Sequence, residues 1–333
     1  MKKSYVVISI TLMSIMMVMG CKSAQKPSDA DSTDGTTVKT KEFNFSSGSK
    51  VPDGFDNYGE TKSAEELMKA TGYEYDKDSL TYELLWEDNF DGNKLNEEYW
   101  SYETGGSGWG NNEIQYYTNG DNCSVKDGIL TIELRKDQDE NGKEKVTSSR
   151  IKTAGKVDFR YGKVEMRAKL PQGRGTWPAF WMMPSKSVYG GWPVSGEIDI
   201  MEAVGYMPNV AFNTVHNKAF NGMNGLQKGK PTYHIDTMYD EYHTYGVEWL
   251  PDRMVYYIDG EETFVYDPHE YADPVLSDQW PYDQEFFIIL NFAWGGNWGG
   301  ARGVDETCLP QKYQIDYVRV YQSPEITALT AEK

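Results

Sequence analysis

From Leu84 onward the chain is built of short segments in which apolar and polar positions alternate, separated by turns rich in Gly, Asn and Asp. A period of two puts successive side chains on opposite faces, the pattern of a half-buried strand. Such segments recur at Ile129 to Leu134, Gly162 to Leu170, Gly196 to Val204, Tyr242 to Trp249, Met254 to Ile258, Phe286 to Phe292 and Ile315 to Tyr321. Many short strands with hardly a helix among them predict an all-β fold, an antiparallel β-sandwich. Upstream the pattern changes. Lys22 to about Gly54 is rich in Ser, Thr, Asp, Lys and Gly, the composition of a flexible tether. Ser63-Ala64-Glu65-Glu66 forms a capping box that predicts a short helix stopping near Gly72. No internal repeat is visible. The organisation read from the chain is a leader at 1–20, a tether at 21–55, an extension with a helix at 56–81, one domain at 82–322 and a tail at 323–333.

One segment breaks the alternation. Gly196-Glu197-Ile198-Asp199-Ile200-Met201-Glu202 carries three carboxylates inside an apolar run. Desolvating an ionised carboxylate costs several kcal/mol unless it is paired or used. Glu197 and Asp199 share a face of a strand, whereas Glu202, at an odd offset from Glu197, falls on the other. An extra residue at Ile200-Met201, a β-bulge, returns Glu202 to the face of the other two. Along such a strand Glu197 and Glu202 lie about 13 Å apart. Side chains leaning together close that to roughly 5–5.5 Å, the separation of a retaining glycosidase pair and too short for an inverting one. Asp199 between them shares protons with both, so one carboxyl is pushed up to serve as an acid near neutral pH. A structural acidic strand or a calcium loop are the competing readings. An EF-hand is excluded, because its required Gly and final Glu are missing from the spacing.

Composition fits a sugar-binding groove: ten Trp and 24 Tyr raise the aromatic share to 14%. Flat rings match the CH faces of pyranoses, and Trp N–H and Tyr O–H groups bond to hydroxyls. Trp177 and Trp181, four apart, face the groove together if their segment is extended, which sends Phe180 to the core. The Gly- and Trp-rich run Ala293 to Gly300, following Asn291, reads as a loop over the cleft in which Trp294 or Trp298 stacks on the ligand.

Lys2 and Lys3, an apolar span from Val6 to Met19 and then Gly20-Cys21 read as an export signal ending in a lipobox-like site. Cys21 is the expected lipidation site, tethering a soluble domain to a membrane, with a simply cleaved leader as the alternative. The formal charge is −18, and removing a leader with two lysines makes it more negative still. That excludes nucleic acid as a partner and disfavours anionic polysaccharides, leaving a neutral glucan. The chain is expected to act as a monomer. Cys123 and Cys308 are available for a disulfide, though spacing does not decide whether they meet. No CxxC, GxSxG elbow, P-loop or HExxH is present.

Several ordered blocks resemble glycoside hydrolase family 16, and within it the laminarinase-like branch with the extra residue before the second Glu. They are Trp192 to Glu202, Tyr161 to Pro171, Gly175 to Trp181, Trp109 to Thr118 and Asp316 to Tyr321. The likeness runs from about Tyr82 to Tyr321. It implies a β-jelly roll with the groove on a concave sheet and an endo-acting retaining β-glucanase on β-1,3- or mixed-linkage glucan. Glu197 would be the nucleophile, Asp199 its tuning residue and Glu202 the general acid/base, with no cofactor required. It further implies Trp192 as a platform beside the cleavage site, Arg150 near sugar hydroxyls and His216 beside the acid/base. Asn112 would be a glycone-side contact, with Asn111 its rival. A structural calcium is implied at Asn89, the Gly128 carbonyl and Asp316. A membrane-tethered, non-catalytic glycan binder and an agar-type galactan hydrolase are the alternative functions. The intact Glu197/Glu202 pair argues against the first, and the bulge alone does not decide the second.

Overall fold

The computed structural model describes residues 73–331. The leader, Cys21, the tether and the capping box at Ser63 lie outside these residues. Alternation is clearest in the strand Gly162–Lys169, where Val164, Met166 and Ala168 are buried and the intervening Lys163, Glu165, Arg167 and Lys169 are half-buried on the other face. In chain order the strands are β1 (Glu83–Asp88), β2 (Ser101–Glu103), β3 (Tyr116–Tyr117), β4 (Cys123–Lys126), β5 (Ile129–Gln138) and β6 (Glu144–Ser148). There follow β7 (Arg150–Lys152), β8 (Asp158–Phe159), β9 (Gly162–Lys169), β10 (Thr176–Pro184), β11 (Glu197–Glu202) and β12 (Val210–His216). The last six are β13 (Lys228–Tyr233), β14 (His243–Trp249), β15 (Met254–Ile258), β16 (Glu261–Tyr266), β17 (Phe286–Trp294) and β18 (Gln311–Gln322).

They form two sheets. A ten-stranded sheet runs β16-β15-β14-β9-β18-β5-β6-β3, with β1 on β18 and β4 on β5. An eight-stranded sheet runs β13-β12-β11-β10-β17-β7-β2, with β8 on β17. Pairing is antiparallel except between β3 and β6. The apolar faces meet in one core, to which the ten-stranded sheet contributes Leu130, Ile132, Val164, Met166, Val318 and Val320. The eight-stranded sheet answers with Phe180, Ile198, Ile200, Met201, Ile288 and Leu290. Each fully buried aliphatic side chain contributes about 1.5–3 kcal/mol. This is the sandwich that the alternation predicts, and each of the seven segments read as strands falls on one.

Three features differ from expectation or complete it. The run after Asn291 is not all loop. β17 extends to Trp294, and parity with Phe292 and Leu290 turns that indole into the core, where it is fully buried. Trp294 is therefore a core residue and unavailable to a ligand. Next come the short helix α1 (Gly296–Gly299) and, within the C-terminal stretch, the helix α2 (Pro324–Ala331), which starts with Ser323 Oγ accepting from Ile326 N–H. Cys123 and Cys308 are both free thiols, so the disulfide left open by the spacing is not formed.

The calcium set fits its ion poorly. Asn89 Oδ1 accepts from the Arg319 guanidinium at 3.0 Å, and the Asp316 carboxylate accepts from Arg167. Both side-chain oxygens are already held by cationic groups, and the set holds only one carboxylate, where calcium sites use several anionic or carbonyl oxygens.

Candidate active site

β11 has two different faces. Ile198, Ile200 and Met201 are fully buried in the core, while Glu197, Asp199 and Glu202 share the outward face. The register shows how. Against β12, Asp199 pairs with Thr214 and Glu202 with Phe212, three steps on one strand opposing two on the other. Against β10, Asp199 pairs with Trp181, Met201 with Phe180 and Glu202 with Ala179, again with one residue in excess. The bulge lies at Ile200-Met201, as parity predicts. Gly196 opens the strand at φ +90°, and a Cβ there would lie 2.7 Å from the Tyr282 ring, so only glycine fits.

The same register extends the outward face across the sheet. Glu197 lies opposite His216 on β12. Glu202, Ala179, Asn291, Arg150 and Glu103 form one row across β11, β10, β17, β7 and β2. Trp181 lies beside Ala179 in the row of Asp199, and Trp177 is two residues the other way on β10. Both tryptophans thus face outward while Phe180 is fully buried, as the extended reading requires.

An indole N–H donates to Glu197 and another to Glu202, and an imidazole stands beside Asp199. Trp192 Nε1 donates to Glu197 Oε2 at 2.7 Å, and its ring remains 42% exposed, a flat surface beside that acid. Trp177 Nε1 donates to Glu202 Oε1 at 2.9 Å. Asp199 is buried, with His216 Nε2 3.3 Å from its Oδ2 and 3.8 Å from Glu197 Oε1. Burial pushes the Asp199 carboxyl well above the usual range, and the charge of Glu197 and a hydrogen bond to it add to the rise. Burial likewise pushes Glu202 well up, the Asp199 charge adds, and the Trp177 N–H pulls the other way. Neighbouring carboxyls pushed upward to this degree by burial and by one another are suited to divide into an acid and a base.

Glu197, Asp199 and His216 bring ligand atoms within 4.8 Å of one another, the spacing of a metal set. The imidazole is turned against that use. Gly222 N–H donates to His216 Nδ1 at 3.1 Å, which leaves the ring proton on Nε2, the atom facing both acids. A metal would need that nitrogen bare. The cluster is built to hold protons.

Arg150 is buried rather than part of an exposed ion pair. Its Nε donates to Glu103 Oε2 at 2.5 Å, and its guanidinium lies 4.9 Å from the Trp109 ring and 4.8 Å from the Trp181 ring. Trp298 on α1 meets Trp177 edge-on at 5.4 Å and Phe212 at 5.0 Å, forming an aromatic wall at the Glu202 end. Gly299 makes room for it, since a Cβ there would stand 3.0 Å from that of Trp177. Asn112 is exposed and donates to Asn297 Oδ1 at 2.9 Å, while the Asn111 carbonyl accepts from Asn297 N–H. Both asparagines therefore tie their loop to α1. Glu113, Gln115, Tyr117 and Glu103, which single-residue reasoning missed, are buried or half-buried polar groups supporting these rings. Polar residues alternating through Asn112-Glu113-Ile114-Gln115 were the available signal.

A profile of the glycosyl hydrolases family 16 matches residues 110–319. A beta-glucanase of Rhodothermus marinus is 44% identical over 247 residues, spanning 72% of this chain and 85% of its own. Glucan endo-1,3-beta-glucosidase A1 of Niallia circulans is 40% identical over 268 residues, 72% of this chain and 38% of its own. The X-ray structure of the laminarinase from Rhodothermus marinus superposes with a TM-score of 0.70 at 42% identity, covering 74% of this chain and 99% of that one. Profile, relatives and fold agree with the bulged acidic strand, and this chain belongs to glycosyl hydrolase family 16.

Proposed function

We propose that the protein is a retaining endo-β-glucanase that hydrolyses internal β-1,3-glucosidic bonds of laminarin-type or mixed-linkage glucans. The observation that carries this is the bulge that turns Glu202 onto the face of Glu197. The named activities of the glucanase and laminarinase relatives support the same substrate class and do not favour a non-catalytic binder or a galactan hydrolase. The acidic chain, at −18, is suited to a neutral polymer. The reaction requires no cofactor, since every group it uses is a side chain.

Glu202, whose carboxyl is pushed upward by burial and by the Asp199 charge, donates its proton to the glycosidic oxygen while Glu197 attacks the anomeric carbon. Trp192 N–H and the hydrogen bond from Asp199 hold the Glu197 carboxylate in position. The leaving chain departs, Glu202 takes a proton from water, and the water oxygen displaces Glu197 from the sugar. Trp181, Trp177 and Trp298 offer rings to the glucose units, and Trp192 stands beside the bond that breaks. Glu197→Ala is expected to lower turnover of an aryl β-glucoside of the oligosaccharide by at least about 10⁴-fold. Added azide should restore turnover and give the α-glycosyl azide. A β-azide would assign the nucleophile elsewhere.

The pH profile follows from Glu202. Its raised pKa means that the acid is present below that value and lost as pH rises through it, so the alkaline limb of kcat/KM reports it. Trp177 N–H favours the carboxylate form. Trp177→Phe is therefore expected to move the alkaline limb to higher pH; a shift to lower pH contradicts the assignment.

Export and lipidation rest on the leader: Lys2, Lys3, the apolar span to Met19 and Cys21 support attachment of the mature chain to a membrane through that cysteine, the folded domain acting as a monomer. Cys21→Ala is expected to move the protein from the membrane pellet to the soluble fraction of the producing cell. Retention of the variant in the pellet overturns the anchor.

A further inference from the structure

We infer that Glu113 is a positioning residue for the sugar-binding face, the common acceptor on which two hydrogen-bond chains end. The inference rests on the reading of Trp181 as a sugar platform. Glu113 is 8% exposed, beneath the groove and on the opposite side of β17 from β11. Its Oε2 accepts from Gln115 Nε2 at 2.6 Å and from Tyr117 Oη at 3.3 Å. Tyr117 Oη in turn accepts from Asn291 Nδ2 at 3.1 Å, and Asn291 Oδ1 accepts from Trp181 Nε1 at 2.7 Å. On the other branch Gln115 Oε1 accepts from the backbone N–H of Trp294 at 2.7 Å.

The direction of both chains is imposed from their far ends. An indole N–H can only donate, so Asn291 must present its oxygen to Trp181 and its amide nitrogen to Tyr117. The Tyr117 hydroxyl, having accepted, must donate onward. A backbone N–H can also only donate, so Gln115 presents its oxygen to Trp294 and its amide nitrogen toward Glu113. Two donors therefore converge, and the group between them must be an acceptor. Tyr117 and Asn291 are 0% and 5% exposed, so water does not replace a missing partner.

What the two chains fix is the groove. One sets the tilt of the Trp181 ring, against which the Arg150 guanidinium stacks with Trp109 on its other side. Tyr117 also packs edge-on against Trp109, with centroids 5.1 Å apart. The other holds the end of β17 at the turn into α1, which carries Trp298 against Trp177. Burial pushes the Glu113 carboxyl upward, with the Gln115 hydrogen bond and the Arg150 charge pulling the other way. Glu113 touches neither acid of the catalytic pair, so it acts through the rings.

The test is a double-mutant cycle between residues 113 and 181, read as KM on a β-1,3-linked glucopentaose. Trp181→Ala alone should raise KM; if it does not, the platform reading fails and this inference has nothing to act through. Glu113→Leu removes the acceptor at similar volume and should raise KM about tenfold with kcat changed less than about threefold. Glu113→Gln, which keeps an acceptor oxygen, should recover most of that loss. In the Trp181→Ala background Glu113→Leu should raise KM by clearly less, the remainder being the part carried through Trp294 and α1. Equal rises in both backgrounds, or no recovery by Glu113→Gln, overturns the inference. Should Glu113→Leu fail to fold, Tyr117→Phe breaks the same chain by one hydroxyl and must raise KM in the wild-type background but not beside Trp181→Ala.

Discussion

The site depends on a conflict settled within one strand. β11 must bury Ile198, Ile200 and Met201 against the core and present Glu197, Asp199 and Glu202 to the groove. Strict alternation cannot do both over six residues, because a shift of one position exchanges the faces. If these six residues ran as a regular strand with no bulge, Glu202 would turn into the apolar core, at a cost of several kcal/mol for an unpaired charge. The bulge at Ile200-Met201 satisfies both demands, and both of its side chains are themselves fully buried. The device that aims the second acid is thus held in place by the core.

Burial then supplies the chemistry. Rings line the outward face of the eight-stranded sheet: Trp177, Trp298 and Phe212 at one end, Trp181 with Arg150 and Trp109 at the other. Such a floor raises Asp199 and Glu202, because little solvent remains to stabilise their charged forms. Indole N–H groups return some of that stabilisation selectively, one to Glu197 and one to Glu202. The same aromatic residues are therefore suited to stack on sugar and to tune the acids.

Much of this was legible in the chain, because strands covered on one side write their faces as alternation. Gly162 to Leu170 is the clearest case, and the parity of Glu197, Asp199 and Glu202 located the bulge without coordinates. The failures have a common origin in position rather than residue type. Trp294 lies among glycines that suggest a loop, but β17 is buried on both faces and gives no alternation to show where it ends. Arg150 is expected near the sugar-binding face through the resemblance alone, and its enclosure by Glu103 and two indoles depends on the pairing of β2 with β7. Glu113 shares only the alternation of its own segment as a local signal, and its partnership with Tyr117 and Asn291 depends on the pairing of distant segments. The arginines that occupy the expected calcium ligands arrive in the same way, from β9 and β18.

The most direct test of the central claim, that the bulge places the two acids for double displacement, is the anomeric configuration of the first product. Proton NMR of a β-1,3-linked gluco-oligosaccharide during hydrolysis by the wild-type protein should show the β-anomer of the new reducing end first. The α-anomer should then grow only at the rate of mutarotation. Initial release of the α-anomer would mean a single displacement by water and would contradict the account.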